Sequence, residues 1–287
     1  MRFTKMHGIG NDYVYVDCFD EPLAGVDLSD LSRRVAHRRF GIGSDGLILI
    51  MPGEQGCDFR MRIFNADGSE GDMCGNGMRC VARYVYDHGR TRKKEFTVLT
   101  RAGVMRPTVI TDDAGRVTGV RVNLGQPSLT RGRMLMAGDP TESTLKITVT
   151  AGNRQFVGTG VAIGNPNYVI EVDDAASFPI EKYGSLLENH PIFPQRTNVE
   201  FVTPVARDRI IMRVWERGSG ITWACGTGAS ASLVAMAAAG RTDREATVSL
   251  LGGDLRIEWG DDGNVYMTGP AEEVFTGEYP ITEVRRE

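Results

Sequence analysis

The chain lacks the features of a metalloprotein, a disulfide scaffold, a membrane protein or a nucleic-acid binder. Its four histidines (His7, His37, His88, His190) are scattered, and its five cysteines (Cys18, Cys57, Cys74, Cys80, Cys225) include no C-x-x-C pair. A zinc site needs such spacing, and none is expected. An odd number of cysteines is also a poor disulfide framework. No apolar run approaches the roughly 18 residues of a membrane span. The opening Met1-Arg2-Phe3-Thr4-Lys5 has no apolar signal region, so a cytoplasmic location is expected and a membrane partner is not. With a net charge of −4 and no dense Lys/Arg stripe, a nucleic-acid partner is not expected either. Arg92-Lys93-Lys94 is the longest basic run and reads as a solvated turn. No glycine loop leads into Lys-Ser/Thr, so a phosphate cradle for a nucleotide or for pyridoxal phosphate is missing.

What is present is an ordinary globular composition, 41% apolar and 24% charged over 287 residues, long enough for two domains. Against that background one motif occurs twice: Cys74-Gly75-Asn76-Gly77 and Cys225-Gly226-Thr227-Gly228, each ahead of an apolar helical run. The glycines allow a sharp turn, and Asn76 and Thr227 are expected to cap the helices. The first unpaired N–H groups and the positive end of the helix dipole then favour an anion, which predicts two thiols of lowered pKa.

The apolar periodicity predicts helices over 27–39 (capped by Asp27 or Ser29), 76–88, 180–188 and 227–239. The last is apolar or small on every side and should be wholly enclosed. Strands are expected at 13–16, 47–50, 59–64, 95–100, 104–110, 117–124, 144–150, 155–163, 169–172, 198–202, 209–215, 246–250, 254–259, 264–268 and 273–279. Asp112-Asp113-Ala114-Gly115 reads as a hairpin turn.

The second half repeats the first. Met61-Arg62-Ile63-Phe64 and Met212-Arg213-Val214-Trp215 stand at the same distance ahead of their cysteines, and Gly10-Asn11 is echoed by Gly164-Asn165. Unrelated domains would not keep these offsets together, so the chain reads as an internal duplication. Two related helix N-termini meeting across a cleft would present Cys74 and Cys225 to its two sides. That arrangement suits inversion of a carbon stereocentre, with a base on one face and an acid on the other. The backbone N–H groups of Gly75, Asn76, Gly226 and Thr227 would take up the charge formed, and no cofactor is then needed.

Seven segments carry a resemblance to a known family: Gly8-x-Gly10-Asn11-Asp12-Tyr13, Phe64 to Glu70, Met73 to Cys80, Gly164-Asn165-Pro166, Thr197 to Glu200, Trp215 to Gly218 and Ala224 to Gly228. Together they resemble diaminopimelate epimerase over nearly the whole chain. The resemblance implies an isomerase of lysine and cell-wall biosynthesis that interconverts LL- and meso-diaminopimelate without a cofactor or metal, usually as a homodimer. It also implies an α/β (α+β) fold of two pseudo-symmetric domains, each a curved mixed sheet around a central helix, with the active site between them. The expected domains are 1–118 with 273–287, and 119–272. Cys74 and Cys225 match the acid/base pair, and Gly75, Asn76, Gly226 and Thr227 the holders of the reacting carboxylate. Asn11, Asn65, Asn165, Asn198, Glu216 and Arg217 match the remaining substrate contacts, Arg217 facing the distal carboxylate.

Two positions depart from the family: Gly46, where many members carry glutamine, and Asn167, where histidine is common. They leave open a related racemase acting on histidine or proline. A non-catalytic amino-acid-binding protein and a thiol pair that closes into a disulfide also remain open. Cys18, Cys57 and Cys80 read as small apolar residues.

Overall fold

The computed structural model describes residues 1–21 and 23–281. In chain order the elements are β1 (Arg2–Gly8), β2 (Asn11–Asp17), α1 (Leu28–Ala36), β3 (Gly46–Pro52), β4 (Phe59–Asn65), β5 (Glu70–Gly71), α2 (Gly75–Asp87), β6 (Val98–Thr100), β7 (Gly103–Met105), β8 (Thr108–Thr111) and β9 (Val117–Asn123). Then come β10 (Ile147–Ala151), β11 (Arg154–Ile163), β12 (Asn165–Glu171), α3 (Ile180–Glu188), β13 (Asn198–Ala206), β14 (Arg209–Glu216), β15 (Gly220–Ile221) and α4 (Gly226–Ala238). The last four are β16 (Glu245–Ser249), β17 (Asp254–Trp259), β18 (Val265–Gly269) and β19 (Glu272–Glu278). The chain forms two compact units, Met1–Val122 with the segment from Gly269 onward, and Asn123–Thr268. Of the expected segment 273–287, residues 282–287 lie outside those described.

The sheet of the first unit runs β19-β1-β2-β3-β4-β6-β7, with β5 on β4; in the second unit the order is β10-β11-β12-β13-β14-β16-β17-β18, with β15 on β14. Pair by pair the senses repeat. β1/β2 and β11/β12 are antiparallel, β2/β3 and β12/β13 parallel, and β3/β4 and β13/β14 antiparallel. β4/β6 and β14/β16 are then parallel again. The duplication seen in the sequence is therefore a duplication of topology.

Each sheet carries one helix on either face. In the first unit α1 packs on β2, β3 and β4, while α2 lies against β1, β2 and β8. In the second, α3 lies on β10, β13 and β14, and α4 touches β11, β12, β13, β14, β16 and β17, so the sheet curves around it. The enclosure suits its sequence. Residues 228–236 of α4 are all buried, and the hydroxyls of Ser230 and Ser232 are satisfied by donating back to the carbonyls of Gly226 (2.9 Å) and Gly228 (2.7 Å). Strands covered on both faces read as continuous apolar runs. In β3, Leu47 and Leu49 join the α1-side core with Val14, Leu31, Val35 and Phe64. In β13, Val199 and Phe201 join the α3-side core with Phe156, Tyr168, Tyr183 and Phe193. The intervening residues Ile48 and Glu200 face the inner helix.

The structure moves several expected boundaries. Helix α1 stops at Ala36, capped by Asp27, whose carboxylate accepts the Asp30 N–H at 3.0 Å. The strand expected over 104–110 is split at Pro107, which has no N–H for a ladder, into β7 and β8. The strand expected at 169–172 starts four residues earlier. Strand β12 already begins at Asn165, with Pro166 and Asn167 inside it.

Phe201 is fully buried and stacks on Phe178 at 4.5 Å between centroids. Phe201→Ala is expected to destabilise the protein by about 3–5 kcal/mol, read from urea unfolding, with Phe201→Leu losing distinctly less.

Candidate active site

Both cysteine loops end a strand-turn segment and start a central helix, but their caps are not the residues expected. Asn76 and Thr227 lie inside the helices. The Ncap residues are the cysteines themselves, in extended conformation. Cys74 Sγ accepts the Gly77 N–H at 3.4 Å and Cys225 Sγ accepts the Gly228 N–H at 3.3 Å. A sulfur in this position is fixed at the positive end of the helix dipole by the backbone. It takes the N–H of the third helical residue, and an α-helix supplies no intrahelical acceptor for those of the first two. Those two residues are Gly75 and Asn76 in one loop, Gly226 and Thr227 in the other.

Gly77 and Gly228 are required by close approach. A Cβ at Gly77 would stand 2.6 Å from Ile48 Cδ1 and 3.2 Å from Met61 Cε. At Gly228 it would stand 2.8 Å from Glu200 Oε1 and 3.1 Å from both Met212 Cε and Cys225 Sγ. The two loops thus sit on matched floors, except that Ile48 of the first is a glutamate in the second.

In the first unit, Asn11 Oδ1 accepts from Cys74 Sγ at 3.4 Å and from Asn76 Nδ2 at 3.2 Å. Asn11 Nδ2 donates to Asp45 at 2.7 Å. Burial, then the nearby Asp12 carboxylate, raises the pKa of Asp45. Asp12 is itself held low, against burial, by Arg38 and Lys5. Asn76 Oδ1 accepts from Arg79, fully buried on α2, whose Nε donates to the Pro270 carbonyl at 3.0 Å. Asn65 is exposed at the end of β4 and donates to Ser69 at 2.9 Å. Gly46 leaves no room for the family's glutamine with this backbone, since a Cβ there would lie 2.0 Å from the Phe64 carbonyl oxygen.

In the second unit a chain of amides links four positions. Asn165 Oδ1 accepts from Asn167 Nδ2 at 3.0 Å, Asn167 Oδ1 accepts from Asn198 Nδ2 at 3.1 Å, and Asn198 Oδ1 accepts the Arg217 N–H at 2.8 Å. Asn167, fully buried, therefore joins the predicted residues Asn165, Asn198 and Arg217. Arg217 lies on the surface, donating to the Gln195 carbonyl at 3.2 Å, and Glu216 accepts from the Thr222 hydroxyl.

The expectation of a lowered pKa fails for Cys225. This thiol is buried, and desolvation pushes it well up, followed by the Glu216 and Glu200 carboxyls; the Thr227 hydroxyl and the Gly228 N–H only partly offset them. Cys18 and Cys80 are pushed up to about 11, chiefly by burial, as inert thiols are. All five cysteines are free.

Glu200, Asn167, Arg79 and Asp45 were not among the expected site residues. For Glu200 a signal existed: a charge in the middle of a strand buried on both faces, at the position matching Ile48. A separate surface recess lined by Glu171, Val172, Asp173, Thr203, Pro204 and Arg241 contains none of these residues. No helix among the described residues is long and apolar enough to cross a membrane.

The fold and the twice-used cysteine loop define an isomerase of the racemase and epimerase type. Solved structures with this fold include a phenazine biosynthesis protein of the PhzF family from Bacillus anthracis (TM-score 0.70, 14% identity, covering 98% of this chain and 99% of that one). A probable proline racemase from Agrobacterium radiobacter is another (0.68, 17% identity, 99% and 94%). The family model of diaminopimelate epimerase matches residues 3–130 and 159–274. The diaminopimelate epimerase of Moorella thermoacetica is 52% identical over 98% of this chain and all of its own length, and that of Agathobacter rectalis 51% over 98% and all of its own. The chain belongs to the diaminopimelate epimerase family.

Burial holds the proton on Glu200 well above the usual carboxylate range, with Glu216 adding to the effect. The unfolded chain loses that proton above about pH 4.5. Between these limits the folded state binds the extra proton, so this group's burial costs more stability as pH rises. Glu200→Gln is expected to raise Tm relative to the parent. The gap should open above pH 4.5 and reach about 3–6 °C by pH 8, followed by thermal unfolding across a pH series.

Proposed function

We propose that the chain interconverts LL- and meso-2,6-diaminopimelate by moving a proton at Cα between two thiols, Cys74 and Cys225. One observation carries this reading: the same sulfur-capped helix N-terminus is built twice, from two halves of one duplicated fold. A thiolate on one face of the substrate takes the α-proton, and the electron pair left behind delocalises into the adjacent carboxylate. The first-turn N–H groups of Gly75, Asn76, Gly226 and Thr227, with their helix dipoles, stabilise that charge. The thiol on the other face then delivers its proton to Cα, leaving a thiolate where the acid was. Configuration is inverted, the two sulfurs exchange roles, and the reverse reaction uses the same groups. No external electron sink takes part.

Asn11, Asn65, Asn165, Asn198 and Glu216 supply donors and acceptors for a substrate with two ammonium and two carboxylate groups. Arg217, exposed and donating to the Gln195 carbonyl, is offered as the fork for the distal carboxylate. A homodimer in the cytoplasm belongs to the same proposal, since two-thiol chemistry needs its cysteines reduced.

Cys74→Ala or Cys225→Ala is expected to lower epimerisation of LL-diaminopimelate by at least about 10²–10⁴-fold. Wild-type protein in D₂O should incorporate deuterium at Cα with no added cofactor. Turnover of histidine or proline, with diaminopimelate ignored, would defeat the substrate assignment. Arg217→Met is expected to raise KM for diaminopimelate about 10–100-fold with a smaller change in kcat. Steady-state kinetics separate the two, and an unchanged KM would remove Arg217 from the site.

A further inference from the structure

The two cysteine loops share geometry but not electrostatics. The β3–β4 register pairs Ile48 with Ile63, and the β13–β14 register pairs Glu200 with Val214. Ile63 and Val214 stand at the same distance ahead of their cysteines, so Ile48 and Glu200 occupy one position of the repeat. Each reaches under the first turn of its central helix, where the glycine leaves it space. In the first unit that floor is a methyl group, and the nearby buried charge is the Arg79 guanidinium, which interacts favourably with Cys74 and Cys80. Position 79 of the first repeat is occupied in the second by Ser230. There the floor is a carboxyl with no exposed surface, and neither of its oxygens has a hydrogen-bond partner among the described residues.

A buried polar group without a partner costs stability, so its presence calls for an account. The mechanism above does not use it. Its oxygen Oε1 and Cys225 Sγ crowd the same point beside Gly228 Cα. Among the described residues, the ionisable groups acting on this pocket are Glu200 from β13, Glu216 from β14 and Cys225 itself; Thr227 and Gly228 of α4 contribute a hydroxyl and an N–H. Asn167 on the neighbouring β12 and Asn198 on β13 itself are neutral.

We propose that Glu200 is a positioning residue for Cys225: it sets a buried carboxyl in the floor directly beneath the second loop, with Glu216 beside it, and so fixes Cys225 as the proton-donating thiol of the resting enzyme. The inference rests on the two-thiol reading of the site. Two acids in one dry pocket titrate as a pair. A carboxyl is intrinsically the stronger acid by about four pH units, so it ionises first, and Cys225 must then lose its proton beside an existing anion. The first loop has Ile48 below and Arg79 nearby, and the acids coupled to Cys74, the Tyr15 phenol and the Cys80 thiol, are intrinsically no stronger than a thiol. The duplicated halves are thereby given opposite starting roles, Cys74 as base and Cys225 as acid.

The test is the pH dependence of alkylation of each cysteine by iodoacetamide, followed by peptide mass spectrometry on the full-length protein. Parent, Glu200→Gln and Glu200→Met are compared. Removing the competing acid should move the Cys225 midpoint down by about one pH unit, making its labelling at pH 8 about tenfold faster. The Cys74 midpoint should stay in place. The basic limb of the kcat/KM profile should shift in the same direction as Cys225. A Cys225 midpoint unmoved in both variants overturns the proposal even if kcat falls, because a merely structural role would lower activity without shifting one thiol. The parent reading fails separately, if Cys225→Ala retains epimerase activity, and the alkylation profiles do not depend on that result.

Discussion

A sulfur atom accepting a backbone N–H at the start of a buried helix is the contact on which the site depends. The bond itself is modest, as a neutral thiol is a weak acceptor. Its effect is geometric. Holding Cys74 and Cys225 by the N–H of the third helical residue leaves each side chain little freedom, and sets the sulfur beside the first-turn donors rather than away from them. Glycine at that third residue follows directly, because the strand floor below, Ile48 in one unit and Glu200 in the other, comes too close for a methyl group. Cysteine, glycine spacing, strand floor and helix are one packed object, and the duplication copied it entire.

Much of this was legible in the chain. The offsets around Met61 and Met212 identify β4 and β14 as equivalent before any strand pairing is known, and the all-round apolar pattern of 227–239 foretells a helix buried on every side. That holds from Gly228 to Met236, while Ala238 and Ala239 at its end are exposed. The helix ends were less legible. Asn76 and Thr227 are good capping residues by type, and nothing in composition says that a cysteine two positions earlier will take the N–H first. The strand start at Asn165 was hidden for a similar reason. Gly-Asn-Pro-Asn reads as a turn on local propensity, but pairing with β11 and β13 and the amide chain through Asn167 override it.

The electrical difference between the halves was the least visible feature. Sequence repetition draws attention to what is shared, whereas Glu200 and Arg79 matter by being unshared. Expecting both thiols to be acidified by their helix dipoles took account of the dipole and left out burial, which for Cys225 is the larger effect. A pseudo-symmetric acid/base pair needs equal geometry and unequal charge, and only the side chains beneath the loops can supply the second.

The first sheet has its edge strand supplied from the far end of the chain. Strand β19 pairs along β1 from Arg2 to His7, the Met1 ammonium donates to the Tyr279 carbonyl at 2.9 Å, and the carbonyls of Pro270 and Ala271 receive Arg79 and Arg83 of the central helix. During synthesis the second unit can therefore close on residues already made, while the first waits, its β1 edge open and a buried guanidinium lacking a carbonyl, until residues 270–279 leave the ribosome. The half that is translated first is the half that finishes folding last.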